Sequence, residues 1–239
     1  MSRQLLSMDL VFRGHRLRLD PAGALIWPAQ DLLIVADLHL EKGTAFARRG
    51  KLLPPYDTHA TLSRLEALVR RWQPTTVVSL GDGFHDRRGA RDLSPELFDR
   101  LAILTRSRRW VWITGNHDPQ VALGLGGAAT PELALAGGLV LRHEPTGAEG
   151  EIAGHLHPKA RVQTRRLSLN RPCFVADGDR LLLPAFGSFT GGLNVLDPDI
   201  SALFPTGFHA YLLGDARVFG FPHAVLAHEP AALHHRLLG

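Results

Sequence analysis

Residues 32–39 read Leu-Leu-Ile-Val-Ala-Asp-Leu-His, five apolar residues followed at once by an aspartate and, two residues on, a histidine. A continuous apolar run of this length is typical of a strand that is buried on both faces. The arrangement recurs twice: residues 76–80 precede Gly-Asp-Gly-Phe-His-Asp, and residues 110–113 precede Thr-Gly-Asn-His-Asp. Three apolar strands, each followed by a polar loop, therefore form the centre of the predicted fold.

Helical patterns separate these strands. Apolar residues repeat at helical spacing from Tyr56 to Trp72, and Ser94 before Pro95 has the residue types of an N-cap and a first helical turn. Alternating strands and helices predict parallel pairing. A hairpin turning at Gly14 is expected over residues 9–19. After His117 short strands are expected at 139–141, 151–153, 160–162, 174–176 and 181–183. The order predicts an α/β fold of two packed sheets with helices outside.

The composition bounds the function classes. The 239 residues suit one domain, 1–239, with a motif-bearing core at about 32–158 and a β-rich extension at 197–239. A single cysteine, Cys173, excludes a disulfide framework. No signal peptide or membrane-spanning run is evident, so a cytoplasmic location is expected. The net charge of +4 favours polyanions, but only three of the 27 basic residues are lysines, which a GC-rich genome explains equally well.

Residue types that bind metals concentrate in the loops that follow the strands. The carboxyl ends of strands in an open α/β sheet meet in one crevice, so these loops are expected to lie close together. Residues i and i+2 of an extended segment point the same way, so each Asp-x-His or His-x-His pair should present two ligands together. The residues concerned are Asp37, His39, Asp82, His85, Asn116, His117, Asp118, His143, His155 and His157.

The ordered set Asp-x-His, Gly-Asp, Gly-Asn-His-Asp, His and Gly-His-x-His resembles the dimetal motif of the calcineurin-like metallophosphoesterases. The resemblance spans residues 32–158, with every motif position filled. It implies a four-layer α-β-β-α sandwich, two mixed sheets flanked by helices. Residues 37–43 (Asp-Leu-His-Leu-Glu-Lys-Gly) and 183–192 resemble more specifically the DNA ligase-associated branch of that family.

The resemblance also implies the roles of the site residues. Two divalent ions would activate a bridging water and polarise the phosphoryl group. Imidazole, carboxylate and amide ligands fit Mn²⁺, Fe²⁺ or Zn²⁺ better than Ca²⁺ or Mg²⁺, and the resemblance favours Mn²⁺. Asp82 would bridge the ions, one of them held by Asp37, His39 and His157 and the other by Asn116, His143 and His155.

Three further residues are candidates for catalysis. His117 would assist the leaving group, a task that suits the pKa of an imidazole, and Asp118 would orient it or simply cap the loop before Pro119. His85 lies three residues after Asp82, as in the Gly-Asp-x-x-His loop of the SbcD-type recombination nucleases, where the histidine faces the substrate. It therefore favours diesters, with a supporting or merely exposed role as the alternative.

The leading hypothesis is a dimetal phosphodiesterase or nuclease that processes DNA in repair. The branch resemblance implies an ATP-dependent DNA ligase and a helicase as partners, no membrane is expected, and an oligomer is left open. The same metal core would also suit a small phosphoester such as a cyclic nucleotide, pyrophosphate or monoester. A non-catalytic scaffold of a ligase complex is the third alternative, and the intact set of metal and catalytic positions argues against it.

Overall fold

The computed structural model describes residues 5–51, 56–86, 88–116, 124–163 and 168–228. Two mixed β-sheets carry most of these residues. The first sheet has seven strands, paired in chain order. They are β1 (Met8–Phe12), β2 (His15–Leu19), β3 (Leu25–Trp27), β4 (Leu32–Ala36), β5 (Thr76–Leu80), β6 (Arg109–Ile113) and β7 (Ala128–Thr130).

The second sheet is built from the later part of the chain. Its strands are β8 (Glu132–Ala134), β9 (Val140–Arg142), β10 (Glu151–Ala153), β11 (Lys159–Gln163), β12 (Ser168–Ala176), β13 (Arg180–Leu182), β14 (His209–Leu213), β15 (Val218–Pro222) and β16 (Leu226–Ala227). The main path runs β15-β14-β12-β13-β10-β9-β8. β11 pairs with β12, and β16 pairs with β11. Three strands from 197–228, β14, β15 and β16, thus belong to this sheet.

Helices cover the outer faces unequally. Two long helices, α2 and α4, pack on the first sheet, whereas the second sheet is covered by residues 195–208, which include the one-turn helix α5. The helices are α1 (Lys42–Arg48), α2 (Asp57–Trp72), α3 (Gly89–Asp92), α4 (Pro95–Arg106) and α5 (Pro198–Ser201). No helix in the described ranges is long and apolar enough to cross a membrane.

The main apolar core lies between the two sheets. Ile34, Val78 and Val111 face it from the first sheet, and Ile152 and Phe174 face it from the second. A second core lies between the first sheet and its helices, so all five residues of β4 are buried. Burial on both faces is the physical reason for the continuous apolar run at 32–36. The expected sandwich of two mixed sheets with helices is confirmed.

Strand register sets the position of the polar loops. Ala36 pairs with Leu80, and Leu80 pairs with Ile113, so three parallel strands end at one level. In the second sheet Ala153 pairs in parallel with Arg142 and with Leu182. A parallel bridge between Ala36 and Ala185 joins the two sheets at this level. The five loops that carry the predicted site residues therefore all begin at the same edge of the sandwich.

Candidate metal centre

Six predicted ligands form two adjacent groups at this edge. Within each group the candidate ligand atoms lie within 4.8 Å of one another. Each group combines residues from the first and the second half of the chain. One group is Asp37, His39 and His157, and the other is Asp82, His143 and His155.

In the first group, two imidazoles and a carboxylate point at a common centre. Nε2 of His39 lies 3.2 Å from Nε2 of His157, and Nε2 of His157 lies 3.5 Å from Oδ1 of Asp37. Asp37 and His39 are buried, and His157 is partly buried. Two basic nitrogens facing each other beside a carboxylate form a donor set that a divalent cation can fill.

The second group repeats this arrangement. Nε2 of His143 lies 3.1 Å from Nδ1 of His155 and 3.5 Å from Oδ2 of Asp82. The same Asp82 oxygen lies 3.9 Å from Nε2 of His39 in the first group. Asp82 therefore stands between the two groups, as a bridging carboxylate would. Oδ1 of Asn116 lies 3.2 Å from Nε2 of His143, which adds an amide oxygen to this group.

The backbone at these positions differs from the sequence expectation. Asp-x-His and His-x-His were expected on extended segments, but the residues have positive φ angles between 41° and 69°. His155 and His157 lie in different groups, as the family resemblance implies, whereas Asp37 and His39 lie in the same one. Left-handed backbone is costly for residues other than glycine, and such residues concentrate at functional sites. The positive-φ residues are Asp37, His39, Asp82, His155 and His157.

Glycines next to the ligands allow the loops to approach closely. A Cβ on Gly81, whose φ is +64°, would lie 2.0 Å from Nδ1 of His143. A Cβ on Gly115 would lie 2.2 Å from Oδ1 of Asp82. Both distances are far below van der Waals contact. The glycines of the Gly-Asp and Gly-Asn-His motifs are therefore required by packing against the ligand side chains of neighbouring loops.

Backbone hydrogen bonds hold the loops against one another. The His39 amide donates to the Asp82 carbonyl at 2.8 Å, and the His155 amide donates to Oδ2 of Asp37 at 2.9 Å. The Gly154 amide donates to the His143 carbonyl at 3.1 Å. Each group is thus positioned by the other group's loops, which fixes side-chain geometry before any ion binds.

Two electrostatic features fit a cation at this centre. Oδ1 of Asp37 is buried and accepts no hydrogen bond from the described part of the chain. Burial, reinforced by the nearby His143, lowers the pKa of His155, which keeps its imidazole neutral and able to coordinate. A buried carboxylate oxygen without a donor is unfavourable unless a cation compensates it. The residues present therefore fit divalent metal ions.

The predicted catalytic residues are only partly visible. His85 lies beside the first group, its ring centroid 5.6 Å from that of His39 and 5.4 Å from that of Phe46. Its amide donates to the Leu40 carbonyl at 2.9 Å. His117 and Asp118 lie outside the described residues.

The sequence pattern does not predict α1, the helix that places the Phe46 ring beside the His85 ring. This helix follows Glu41, a buried residue whose own φ is +62°. It is held to the start of α2, because the Glu41 amide donates to Oγ1 of Thr58 at 2.7 Å and the Gly43 amide to Oδ2 of Asp57 at 3.0 Å. Burial raises the pKa of Glu41. The Glu-Lys-Gly sequence that follows the first motif is the local feature at the start of this helix, and it has no helical periodicity of apolar residues that would predict a helix.

Two mixed sheets in contact, with carboxylates and imidazoles gathered where their parallel strands end, define a metallophosphoesterase architecture. The chain belongs to the calcineurin-like phosphoesterase family, whose profile matches residues 31–187. The match extends beyond the motif-bearing core expected at 32–158 and includes β13 and the Ala185 bridge.

Two solved structures are similar to this chain. The crystal structure of the Pseudomonas putida nuclease MPE has a TM-score of 0.70 and 29% sequence identity, covering 90% of this chain and 100% of that chain. Yfce, a phosphoesterase from E. coli, has a TM-score of 0.43 and 18% identity, covering 81% of this chain and 98% of that one. A search of curated proteins finds no match.

Proposed function

We propose that this protein is a dimetal phosphodiesterase that cleaves DNA. The observation that carries the proposal is the pair of ligand groups with Asp82 between them, in a chain of the calcineurin-like phosphoesterase family. The likeness to the Pseudomonas putida nuclease supports a nucleic-acid substrate. The resemblance of residues 37–43 and 183–192 to the ligase-associated branch supports a role in repair beside a DNA ligase and a helicase.

The proposed ligands divide as the two groups do. Asp37, His39 and His157 would hold one ion, and Asn116, His143 and His155 the other, with Asp82 shared. Two bound divalent ions, with Mn²⁺ favoured and Fe²⁺ or Zn²⁺ as alternatives, would supply an activated water and Lewis-acid stabilisation of the phosphoryl oxygens.

Two histidines would orient the substrate and protonate the leaving group. His85, packed between His39 and Phe46, would donate a hydrogen bond to a non-bridging oxygen of the diester and so orient it. His117 would protonate the leaving oxygen, with Asp118 orienting its ring. The resemblance of this loop to the Gly-Asp-x-x-His loop of the SbcD-type nucleases supports a diester as the substrate.

The test is hydrolysis by the Mn²⁺-loaded protein of bis(p-nitrophenyl) phosphate and of the matching monoester. Asp82→Asn should lower diester turnover at least about 100-fold, because changes outside the ligand shell already cost 10- to 100-fold. His85→Ala should lower diester turnover about tenfold more than monoester turnover. Exposed residues on helices provide matched controls, Asp99→Asn and His59→Ala, which should leave both activities unchanged.

Single-stranded and duplex DNA are the next substrates. Unchanged activity in Asp82→Asn would overturn the dimetal mechanism. If the protein prefers the monoester and His85→Ala changes neither activity, a small phosphoester would instead be favoured as the natural substrate. No hydrolysis of any diester by fully metallated protein would revive the scaffold alternative.

A further inference from the structure

A cavity of about 650 Å³ lies along the loop 187–190, and the Gly187 amide of this loop donates to the carbonyl of the proposed ligand Asp37 at 3.0 Å. None of the proposed metal ligands lines it. Two cations, Arg64 of α2 and Lys159 of β11, contribute to its wall, together with the loop itself. Lys159 is two residues beyond His157, so its Cα lies within about 8 Å of the Cα of that proposed ligand. A cavity of this volume accommodates a nucleotide.

Arg64 is the most informative residue of the wall. Its guanidinium lies over the Phe186 ring, 4.3 Å from the centroid, and it makes no hydrogen bond or ion pair with any described residue. Burial lowers its pKa, yet a guanidinium stays charged at neutral pH. A largely buried cation without an acidic partner is unfavourable unless something compensates it. An anion entering the cavity would do so.

Lysines add positive charge on both sides of the loop. Nζ of Lys42 donates to the Phe189 carbonyl at 3.0 Å, and Nζ of Lys159 donates to the Thr190 carbonyl at 3.4 Å. Neither lysine forms an ion pair within the described residues. Among the described lining residues the acidic one is Asp215. The wall formed by Arg64 and Lys159 is therefore a basic one.

An exposed aromatic ring completes the cavity. The side chain of Phe189 belongs to the lining and is 52% exposed, on a residue with a φ of +57°. An exposed aromatic ring on a residue with left-handed backbone does not stabilise the fold. Aromatic rings beside basic groups stack nucleobases in single-strand binding sites, with little sequence preference.

We propose that this cavity binds the nucleotide next to the scissile bond of a nucleic-acid strand. Arg64 and Lys159 pair with its phosphate, and Phe189 stacks on its base. The inference rests on the proposed function in taking a nucleic-acid strand as the substrate. It predicts that substrates with a neighbouring phosphate are preferred over minimal diesters.

The kinetic test compares a short single-stranded oligonucleotide with bis(p-nitrophenyl) phosphate, which has no second phosphate. In Arg64→Met, the ratio of the two kcat/KM values should fall about tenfold, since charge-assisted phosphate contacts and stacking are each worth a factor of this order. Phe189→Ala and Lys159→Met should lower the same ratio, and Arg64→Lys should restore part of it. Arg70→Met removes an exposed charge from the same helix and should change nothing.

A binding test separates this inference from the proposed function. Fluorescence anisotropy of a labelled phosphorothioate oligonucleotide, which keeps its charge and resists hydrolysis, gives the affinity as a function of salt. Losing one phosphate contact should reduce the slope of log K against log salt by about 0.7 in Arg64→Met, and Arg70→Met should keep the wild-type slope.

The outcomes are distinct. An oligonucleotide that binds with the predicted slope change but is not cleaved would overturn the proposed function and leave the subsite standing. Cleavage with an unchanged ratio and an unchanged slope in both Arg64→Met and Lys159→Met would overturn the subsite alone. A thermal unfolding midpoint within a few degrees of that of the wild type shows that a variant is folded. If Arg64→Met does not fold, the same measurements on Lys159→Met test the proposal.

Discussion

Single residues at the proposed metal centre are held in conformations that most side chains avoid. Five of the six grouped candidate ligands, all except His143, have left-handed backbone. Such conformations cost about 1–2 kcal/mol per residue and persist only where neighbouring contacts enforce them. Here the contacts are the backbone hydrogen bonds between loops, such as that from the His39 amide to the Asp82 carbonyl.

Gly81→Ala tests how closely these loops must approach. The added methyl would meet the His143 imidazole, so we expect bound Mn²⁺ to fall by about one ion per chain, together with most diester activity. Gly14→Ala is the matched control, because Gly14 also has a positive φ but its Cβ would meet open space. Metal content by atomic emission and the thermal midpoint check both variants. Equal losses in the two would contradict a packing role for Gly81.

The sequence predicts the identity of these residues better than their conformation. Motif order and strand-end convergence bring Asp37, Asp82 and His143 to one edge, where the structure has them. The sequence does not predict the positive φ of Asp37 or His155, because aspartate and histidine do not indicate left-handed backbone as a glycine in a turn does. Such conformations come from tertiary hydrogen bonds, which a local pattern does not contain.

Among the elements, the sequence predicts the apolar strands and the helices with clear periodicity, and also short strands such as β10. The β4, β5 and β6 strands are confirmed, and so is α4, whose cap Ser94 accepts from the Leu97 amide at 3.3 Å. The short elements β3, α1 and β7 were missed. The seven-residue α1 begins without a side-chain cap and contains Gly43, so its stability comes from contacts with α2.

Ion pairs attach α1 to the loop that carries His85. Arg48 donates to Oδ2 of Asp86 at 2.5 Å and also pairs with Asp92 of α3. Burial opposes ionisation of Asp86, but the Arg88 amide and the Arg48 guanidinium outweigh it and hold the pKa of Asp86 below its ordinary value. A group with a depressed folded pKa stabilises the fold above its unfolded pKa, and that stabilisation disappears as the pH falls through the folded pKa.

Arg48→Met should therefore lower the free energy of unfolding at neutral pH, by no more than about 1 kcal/mol because the pairs are partly exposed to solvent. The difference from wild type should shrink as the pH falls below the ordinary pKa of an aspartate. Urea unfolding at several pH values measures it. Arg49→Met, an exposed neighbour, serves as the control. A difference that is independent of pH would assign the effect to packing of the Arg48 stem.

At the scale of the whole molecule, the proposed metal centre joins the two halves of the chain. Each ligand group takes residues from the first sheet's loops and from the second sheet's loops. Divalent ions that bind the native state but not the unfolded chain stabilise it by mass action, by about 2.7 kcal/mol per site at a free concentration 100 times the dissociation constant.

Removing the ions with a chelator should thus lower the thermal midpoint, and adding Mn²⁺ back should restore it. Asp82→Asn should show a much smaller metal-dependent shift, whereas Asp99→Asn should behave as wild type. Differential scanning calorimetry measures all three. A thermal midpoint that changes with neither the chelator nor Mn²⁺ would contradict high-affinity metal binding at these groups.

The bridging of the two sheets also concerns how long the protein survives. Unfolded and partly opened chains are the forms that proteases cut. If ions hold the sheets together at Asp37, Asp82 and their histidine partners, metal starvation would increase the population of open chains. It would then shorten the protein's half-life and also abolish its activity. Metal supply would then set the abundance of the protein in the cell.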